Sequence, residues 1–393
     1  STYCTRKCKE GICLMEILGI LAFVVALLLS VMLHEFGHFL TARRFGMRVS
    51  EFFLGFGKKI WSFTRGETEF GIKAIPAGGY CRIEGMTPQD QMADGEEGRA
   101  FFAASSLKKL IVLGAGSFAH FLLGFLLIFS IFFAVGYQAL LPDITEIAPK
   151  SAAESAGFKV GDRILTIDKD EVDNWAKDSK KIAQSKGREL TFTVKRGTEI
   201  VTIKAKPEYL EDEKRYLLGV VTKVGTKREG FIPSIQDASV ASWALARESV
   251  KSLVTLPSKV PQLIRQTFMG EERDPNGLVG VVGAARVSGE AVGSEKLSGN
   301  QRLQTFILIV ASLNIFVGLF NLLPILPLDG GHMAVAIADE VRALIARIRK
   351  KPRPAGIDVN VLTPITMAVF VVLAALTVVL LVADLINPVS LGL

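Results

Sequence analysis

The chain has 393 residues, a formal net charge of +7 and 49% hydrophobic residues, and its mean hydropathy is positive. That is too apolar for an ordinary soluble protein, while 22% Asp, Glu, Lys and Arg is too many charges for a bare helix bundle in lipid. Nucleic-acid binding would show as a basic patch on a soluble domain. Here much of the positive excess lies beside apolar runs, so no nucleic-acid partner is expected. The composition points to membrane segments in a lipid bilayer, combined with a soluble domain.

Residues 1–14 read as an N-terminal extension from a start site assigned too far upstream. They carry Cys4, Cys8 and Cys13 with no C-x-x-C spacing and no His. A cysteine-rich metal tail and an acylated anchor are the rival readings. Met15 opens an ordinary membrane protein, and residues 15–137 form the first half of its core. Ile17 to Thr41 is long enough to span, at about 20 residues. Ile17 to Leu33 carries no charge, and then His34-Glu35-Phe36-Gly37-His38 follows. Ionisable groups at membrane depth are costly and tend to mark function. Residues i and i+4 share a helix face, so both imidazoles can reach one Zn²⁺, and Glu35 then projects near the fourth metal position.

Gly46 to Met86 is rich in Gly and strand formers. Phe52–Gly57 and Glu69–Pro76 read as short strands, with Arg65-Gly66-Glu67 as the turn and Gly78-Gly79-Tyr80 as a second break. Met86 to Ala104 is an acidic loop. The second span is expected over Leu110 to Tyr137. It holds His120, which reads as a hydrogen-bonded packing residue, with a fourth ligand or a proton carrier as the alternative.

Residues 138–225 read as a soluble β-rich domain, in which Leu190–Lys195 and Glu199–Ala205 alternate as a hairpin would. Residues 226–305 form a connecting region. Phe231 to Phe268 is helical and amphipathic, either on the membrane surface or packed on the β-rich domain. Gly277 to Val287 is loop-like. Residues 306–393 form the second half of the core, with spans over Phe306 to Leu328 and Val361 to Val382. Arg43, Arg44, Arg48, Lys58, Lys59 and Arg65 follow the first span, and Arg342, Arg347, Arg349, Lys350, Lys351 and Arg353 separate the last two. The positive-inside rule puts both connections in the cytoplasm and residues 138–305 outside, against the sign of Arg6, Lys7 and Lys9.

A hydrolytic zinc site usually needs three protein ligands. His34, Glu35, His38, His120, Asp329 and His332 are the donors near membrane depth. Asp329 follows Asn321-Leu322-Leu323-Pro324-Ile325-Leu326-Pro327-Leu328, where the prolines break the helix. An Asp there is a helix cap or a metal ligand, and the HExxH motif favours the ligand.

Together the two motifs resemble the site-2 protease family of intramembrane zinc metalloproteases. Leu33–His38 matches its first signature and Asn321–Gly331 its NLLP…LDGG signature. Gly55-Phe56-Gly57 and Pro76-Ala77-Gly78-Gly79-Tyr80 look like its membrane-associated β segment. Pro149–Gly157 and Gly161-Asp162-Arg163-Ile164 look like its PDZ domain. The pattern is that of the bacterial sigma-E protease type. One departure falls in the second helix, where Ala115–His120 stands for AGPxxN, with Ser117 for Pro and His120 for Asn.

The resemblance implies a polytopic α-helical membrane protein with four transmembrane helices, a membrane-associated β segment and an inserted extracytoplasmic PDZ-like domain. It implies a multi-pass protein of the bacterial inner membrane, with the active site toward the cytoplasm. Zn²⁺ would sit on His34, His38 and Asp329, with Glu35 catalytic. Asn321, helped by Asn314, would contact substrate backbone. The strand containing Gly71, Ile72, Lys73 and Ala74 would pair with unwound substrate. Substrates would be single-span proteins already trimmed outside, such as anti-sigma factors or remnant signal peptides. The competing readings are a non-catalytic metal-binding PDZ scaffold, disfavoured by the complete ligand set, and a zinc transporter, disfavoured by the apolar last two spans.

Overall fold

The computed structural model describes residues 14–86, 92, 95–274, 277–357 and 359–389. The extension assigned to residues 1–14 therefore lies outside the described residues except for Leu14, as does part of the acidic loop after Met86. The chain divides into two compact units, residues 1–130 with 232–393, and residues 131–231.

The first unit is helical. Its elements are α1 (Leu14–Arg44), a hairpin of β1 (Val49–Arg65) and β2 (Thr68–Ile83), and α2 (Ser106–Ser130). Among the described residues, four helical stretches are long and apolar enough to cross a membrane: Leu14–Arg44, Ser106–Val135, Gly299–Asn321 and Thr363–Ile386. The protein is a polytopic helical membrane protein. Charges at the ends of α1 suit its dipole, with Glu16 in the first turn and Arg43 and Arg44 in the last.

The boundaries differ from expectation where sequence punctuation misleads. The second span stops at Val135, because Tyr137 already belongs to a strand. The third stops at Asn321 rather than Leu328, because Pro324 and Pro327 cannot continue the helix. The hairpin strands run well beyond 52–57 and 69–76. Gly78 and Gly79 stay within β2, since a positive φ of 139° at Gly78 bends the strand without ending it.

The hairpin also folds a second time. Phe53 faces Tyr80 on one side and Gly71 on the other, and Gly71 faces both Phe53 and Ser62. The segments therefore lie in the order 59–65, 68–73, 51–54, 79–83. Beneath them Met47, Val49, Ile83, Phe101, Val112 and Leu113 bury a common core with Ala42 of α1.

The second unit contains β3 (Tyr137–Ile147), α3 (Ala152–Ala156), β4 (Arg163–Ile167), β5 (Asp170–Glu171), α4 (Trp175–Asp178), α5 (Lys180–Gln184), β6 (Leu190–Arg196), β7 (Glu199–Ala205), β8 (Glu208–Leu210), β9 (Arg215–Leu217) and β10 (Val220–Lys227). The main sheet has the order β10-β3-β4-β6-β7, with β5 on β4, and its ladders are antiparallel. Alternation along β6 turns Leu190, Phe192 and Val194 inward, onto Ile144, Phe158, Ile164 and Trp175. Asp162 has no exposed surface and pairs with Arg196 through two bonds of 2.8 Å. This bidentate geometry satisfies a carboxylate that burial would otherwise penalise.

The remaining helices of the first unit follow. α6 (Phe231–Phe268) is the expected amphipathic helix, with Trp243 and Val254 about three-quarters exposed. α7 (Val281–Gly293) occupies part of the stretch read as a loop. Its Gly and Ala residues let it lie close against α1, where a Cβ on Gly19 would be 2.9 Å from Gly289 Cα, and that tertiary contact overrides weak helix propensity. α8 (Gly299–Asn321) opens on a Ser298/Gln301 capping box. α9 (Asp329–Ile348) and α10 (Thr363–Ile386) complete the fold.

Candidate metal centre

Two features of the chain aim His34 and His38 at one point. Both lie on the inner face of α1, less than a tenth exposed, because i and i+4 stack on one side of a helix. Across from them, α2 offers Gly116. A Cβ there would lie 2.5 Å from His34 Cε1 and 2.5 Å from His38 Nε2, so only glycine leaves room for both rings. His38 donates from Nδ1 to the Val112 carbonyl at 2.8 Å. That bond places its proton on Nδ1 and leaves Nε2 free to bind a metal.

Asp329 comes from the other half of the chain. It is the first residue of α9, eight positions after Asn321 ends α8. The intervening turn folds back beneath α9. A Cβ on Gly330 would lie 2.3 Å from the Leu322 carbonyl, and one on Gly331 2.4 Å from Leu326 N. The Gly-Gly pair therefore permits the tight return that carries the carboxylate to the two imidazoles.

The donors form a nearly regular triangle. His34 Nε2 and His38 Nε2 are 3.1 Å apart, and Asp329 Oδ2 lies 3.2 Å and 3.3 Å from them. Ligands around tetrahedral Zn²⁺, with bonds of about 2.0–2.1 Å, are spaced by about 3.3 Å. Asp329 Oδ2 is buried and has no hydrogen-bond partner among the described residues. A buried carboxylate oxygen without a partner is costly, and a cation at the centre of the triangle resolves it. Among the described residues these three form the one group of His, Cys, Asp and Glu side chains with metal-binding geometry.

Glu35 is half-buried beside them. The 79–83 segment of β2 passes over it, with a Cβ built on Gly79 falling 3.4 Å from Glu35 Cγ. Burial, reinforced by the Glu35 charge, pushes the nearby Cys81 thiol up to about 12, which disfavours a thiolate there. His332 follows Asp329 by one turn of α9 and stays outside the donor group.

Other expected site residues fall differently. Asn321 ends α8 and is half-buried. Asn314 is 1% exposed, and its side chain bonds His120, Ser30 and the Val310 carbonyl. Gly71 and Ile72 have pairing partners on both sides, Ser62 and Phe53 for the first and Trp61 and Leu54 for the second. The second fold of the hairpin thus leaves them no vacant edge for a substrate strand. Lys73 is engaged by Tyr80 and Glu51 and lies over the Phe53 ring, and Ala74 is exposed next to it. Gly116 carries no mark of a site residue in the sequence. Its signal was its place in the Ala-Gly pair of the second helix, which by sequence alone reads only as close packing.

Such a donor set, with Glu35 at its side, fits a zinc hydrolase in a chain with helices of membrane-spanning length. Known proteins place it further. Residues 22–376 match Peptidase family M50, and the chain belongs to that family. It is similar to the Zinc metalloprotease Rip1 of Mycobacterium tuberculosis, at 31% identity over 96% of this chain and 100% of that protein. It is also similar to the Zinc metalloprotease Rip1 of Mycolicibacterium smegmatis, at 32% over 95% and 98%. The chain is a zinc metalloprotease.

Proposed function

We propose that this protease hydrolyses peptide bonds inside the membrane-spanning segments of single-span proteins. The observation that carries the reading is the donor triangle of His34, His38 and Asp329, built on helices of membrane-spanning length. The three residues would hold Zn²⁺. When bound, the metal lowers the pKa of a water and polarises the scissile carbonyl. Glu35 takes the proton of that water and returns it to the leaving amine. The His38–Val112 bond keeps its imidazole oriented throughout. Asn321, at the end of α8, steadies the substrate carbonyl as charge develops on it.

A transmembrane helix resists proteolysis because its carbonyls are already bonded. Pairing with a strand edge unwinds it. The 79–83 segment, outermost in the hairpin and adjacent to Glu35, is a better edge for this than Gly71 to Ala74.

The basic connections support a cytoplasmic hairpin and α9 in a bacterial inner-membrane protein. Residues 131–231, between the second and third spans, are then extracytoplasmic. We assign this unit as a PDZ-like domain that screens substrates by the size of their external part. Substrates are thus proteins already trimmed outside, with anti-sigma factors and remnant signal peptides as the expected kinds, and a fragment is released to the cytoplasm.

The test is co-reconstitution of the wild type and Glu35→Gln with trimmed single-span proteins in liposomes, followed by mass spectrometry of the products. Cuts inside the apolar stretch, absent with Glu35→Gln, are expected. Cuts confined to soluble loops would refute the intramembrane reading.

A further inference from the structure

Three helices meet in a buried polar chain that the hydrolytic roles leave unused. Ser30 of α1, His120 of α2 and Asn314 of α8 are 3%, 3% and 1% exposed. Asn314 Nδ2 donates to the Val310 carbonyl at 2.8 Å and to Ser30 Oγ at 3.0 Å. Ser30 in turn donates to the Ala26 carbonyl at 2.9 Å. A carbonyl only accepts, so the Asn314 amide cannot be turned around. Its Oδ1 therefore faces His120 Nδ1, at 2.8 Å. An amide oxygen needs a donor there, so the neutral ring carries its proton on Nδ1 and a free lone pair on Nε2.

This ring stands beside the metal donors. Its centroid is 5.0 Å from that of His34, with a tilt of 40°. Ser30 precedes His34 by one turn on the same face of α1. His120 is not part of the converging donor group, and no protein group bonds its Nε2 among the described residues.

We propose that His120 positions the substrate: its Nε2 accepts a hydrogen bond from a backbone N–H of the segment being cut. This rests on the reading of His34, His38 and Asp329 as the hydrolytic centre. A helix unwound for cleavage exposes main-chain N–H groups where no bulk water can bond them. His34, His38, Asp329 and Glu35 are committed to the metal and the water, so none is left to accept from an amide. His120 is, and its anchor through Asn314 to α1 and α8 holds the lone pair in place before substrate arrives.

The test uses full-length, zinc-loaded protein in detergent and two kinds of probe. Acetohydroxamate reaches the metal alone. A short peptide hydroxamate adds extended backbone, and analogues of it are N-methylated at one amide at a time. In the wild type, methylation at one position should weaken binding about tenfold, the worth of one hydrogen bond in a dry site. The same methylation should have no effect in His120→Phe or in Asn314→Leu, and should keep its effect in His120→Asn. Zinc content and acetohydroxamate affinity should match the wild type throughout. Asn314→Leu decides the matter where His120→Phe does not fold. An undiminished methylation penalty in the folded variants, or none at any position in the wild type, overturns the proposal. Loss of zinc with His120→Phe alone overturns it in favour of a place in the metal centre. Failure of acetohydroxamate to bind the zinc-loaded wild type would instead bring down the hydrolytic reading itself.

Discussion

His38 Nδ1 donates to the Val112 carbonyl at 2.8 Å, and this bond between α1 and α2 turns His38 Nε2 toward Asp329 Oδ2 at 3.3 Å. One main-chain carbonyl thus sets the tautomer and the aim of a ligand whose partner lies almost three hundred residues further along the chain. The proposed metal centre therefore depends on helix packing as much as on donor chemistry.

Purified protein should hold about one zinc per chain, as expected for one three-ligand centre. His34→Ala, His38→Ala and Asp329→Ala should each lower the metal content several-fold, measured by atomic emission after dialysis. Undiminished zinc in Asp329→Ala would remove that residue from the site.

Glu35→Gln should retain the metal while cleavage falls by about two to four orders of magnitude, the usual worth of a positioned base. The amide is close in size to the carboxylate but cannot take a proton. Activity near wild type would show that another group serves as base.

Gly116→Ala should lose zinc affinity, because the added methyl meets His34 and His38 at 2.5 Å. Gly114→Ala, two residues away on α2, is the control. Its methyl would meet only Met333 Cε, at 3.8 Å, and zinc content should not change. Equal effects in the two variants would mean that α2 tolerates or resists methyl groups generally, with no special fit at the imidazoles.

The Asp162–Arg196 pair should make the β-rich unit acid-sensitive. Burial alone would raise the Asp162 carboxyl, but the Arg196 guanidinium and the Lys159 backbone N–H outweigh it and hold it below the usual carboxylate range. A group depressed in the folded state contributes stability above its unfolded pKa, about 3.9. That contribution is lost as pH falls through the folded value. Stability of this unit should therefore hold at neutral pH and decline below about pH 4. Arg196→Met should lower the unfolding temperature at pH 7, and adding Asp162→Asn should recover part of the loss, because the stranded buried charge is removed. Scanning calorimetry of the full chain checks both.

Deleting Leu141 to Thr222 should admit substrates with untrimmed external parts while trimmed ones are still cut. The deletion is structurally clean, since Leu140 stands opposite Val224 and Tyr137 opposite Lys227, so a short linker can close the remaining ladder. Loss of cleavage of trimmed substrates, in a protein that still binds zinc, would show that the domain presents substrate instead of filtering it.

Local pattern was enough for a good part of this protein. An uncharged run from Ile17 to Leu33 and three similar stretches specify helices for lipid, because no other backbone conformation satisfies its hydrogen bonds there. The i, i+4 spacing of His34 and His38 is a property of any α-helix. Tertiary structure decided the rest. Nothing local says that Gly116 must be bare, that Val112 selects the His38 tautomer, or that Asn314 bonds His120 and Ser30. Whether Gly71 lies at an edge depends on the hairpin folding a second time, and whether residues 281–293 are helical depends on α1 lying against them. In each case the deciding contact joins residues far apart in the chain, and a sequence read locally carries periodicity but no distances between segments.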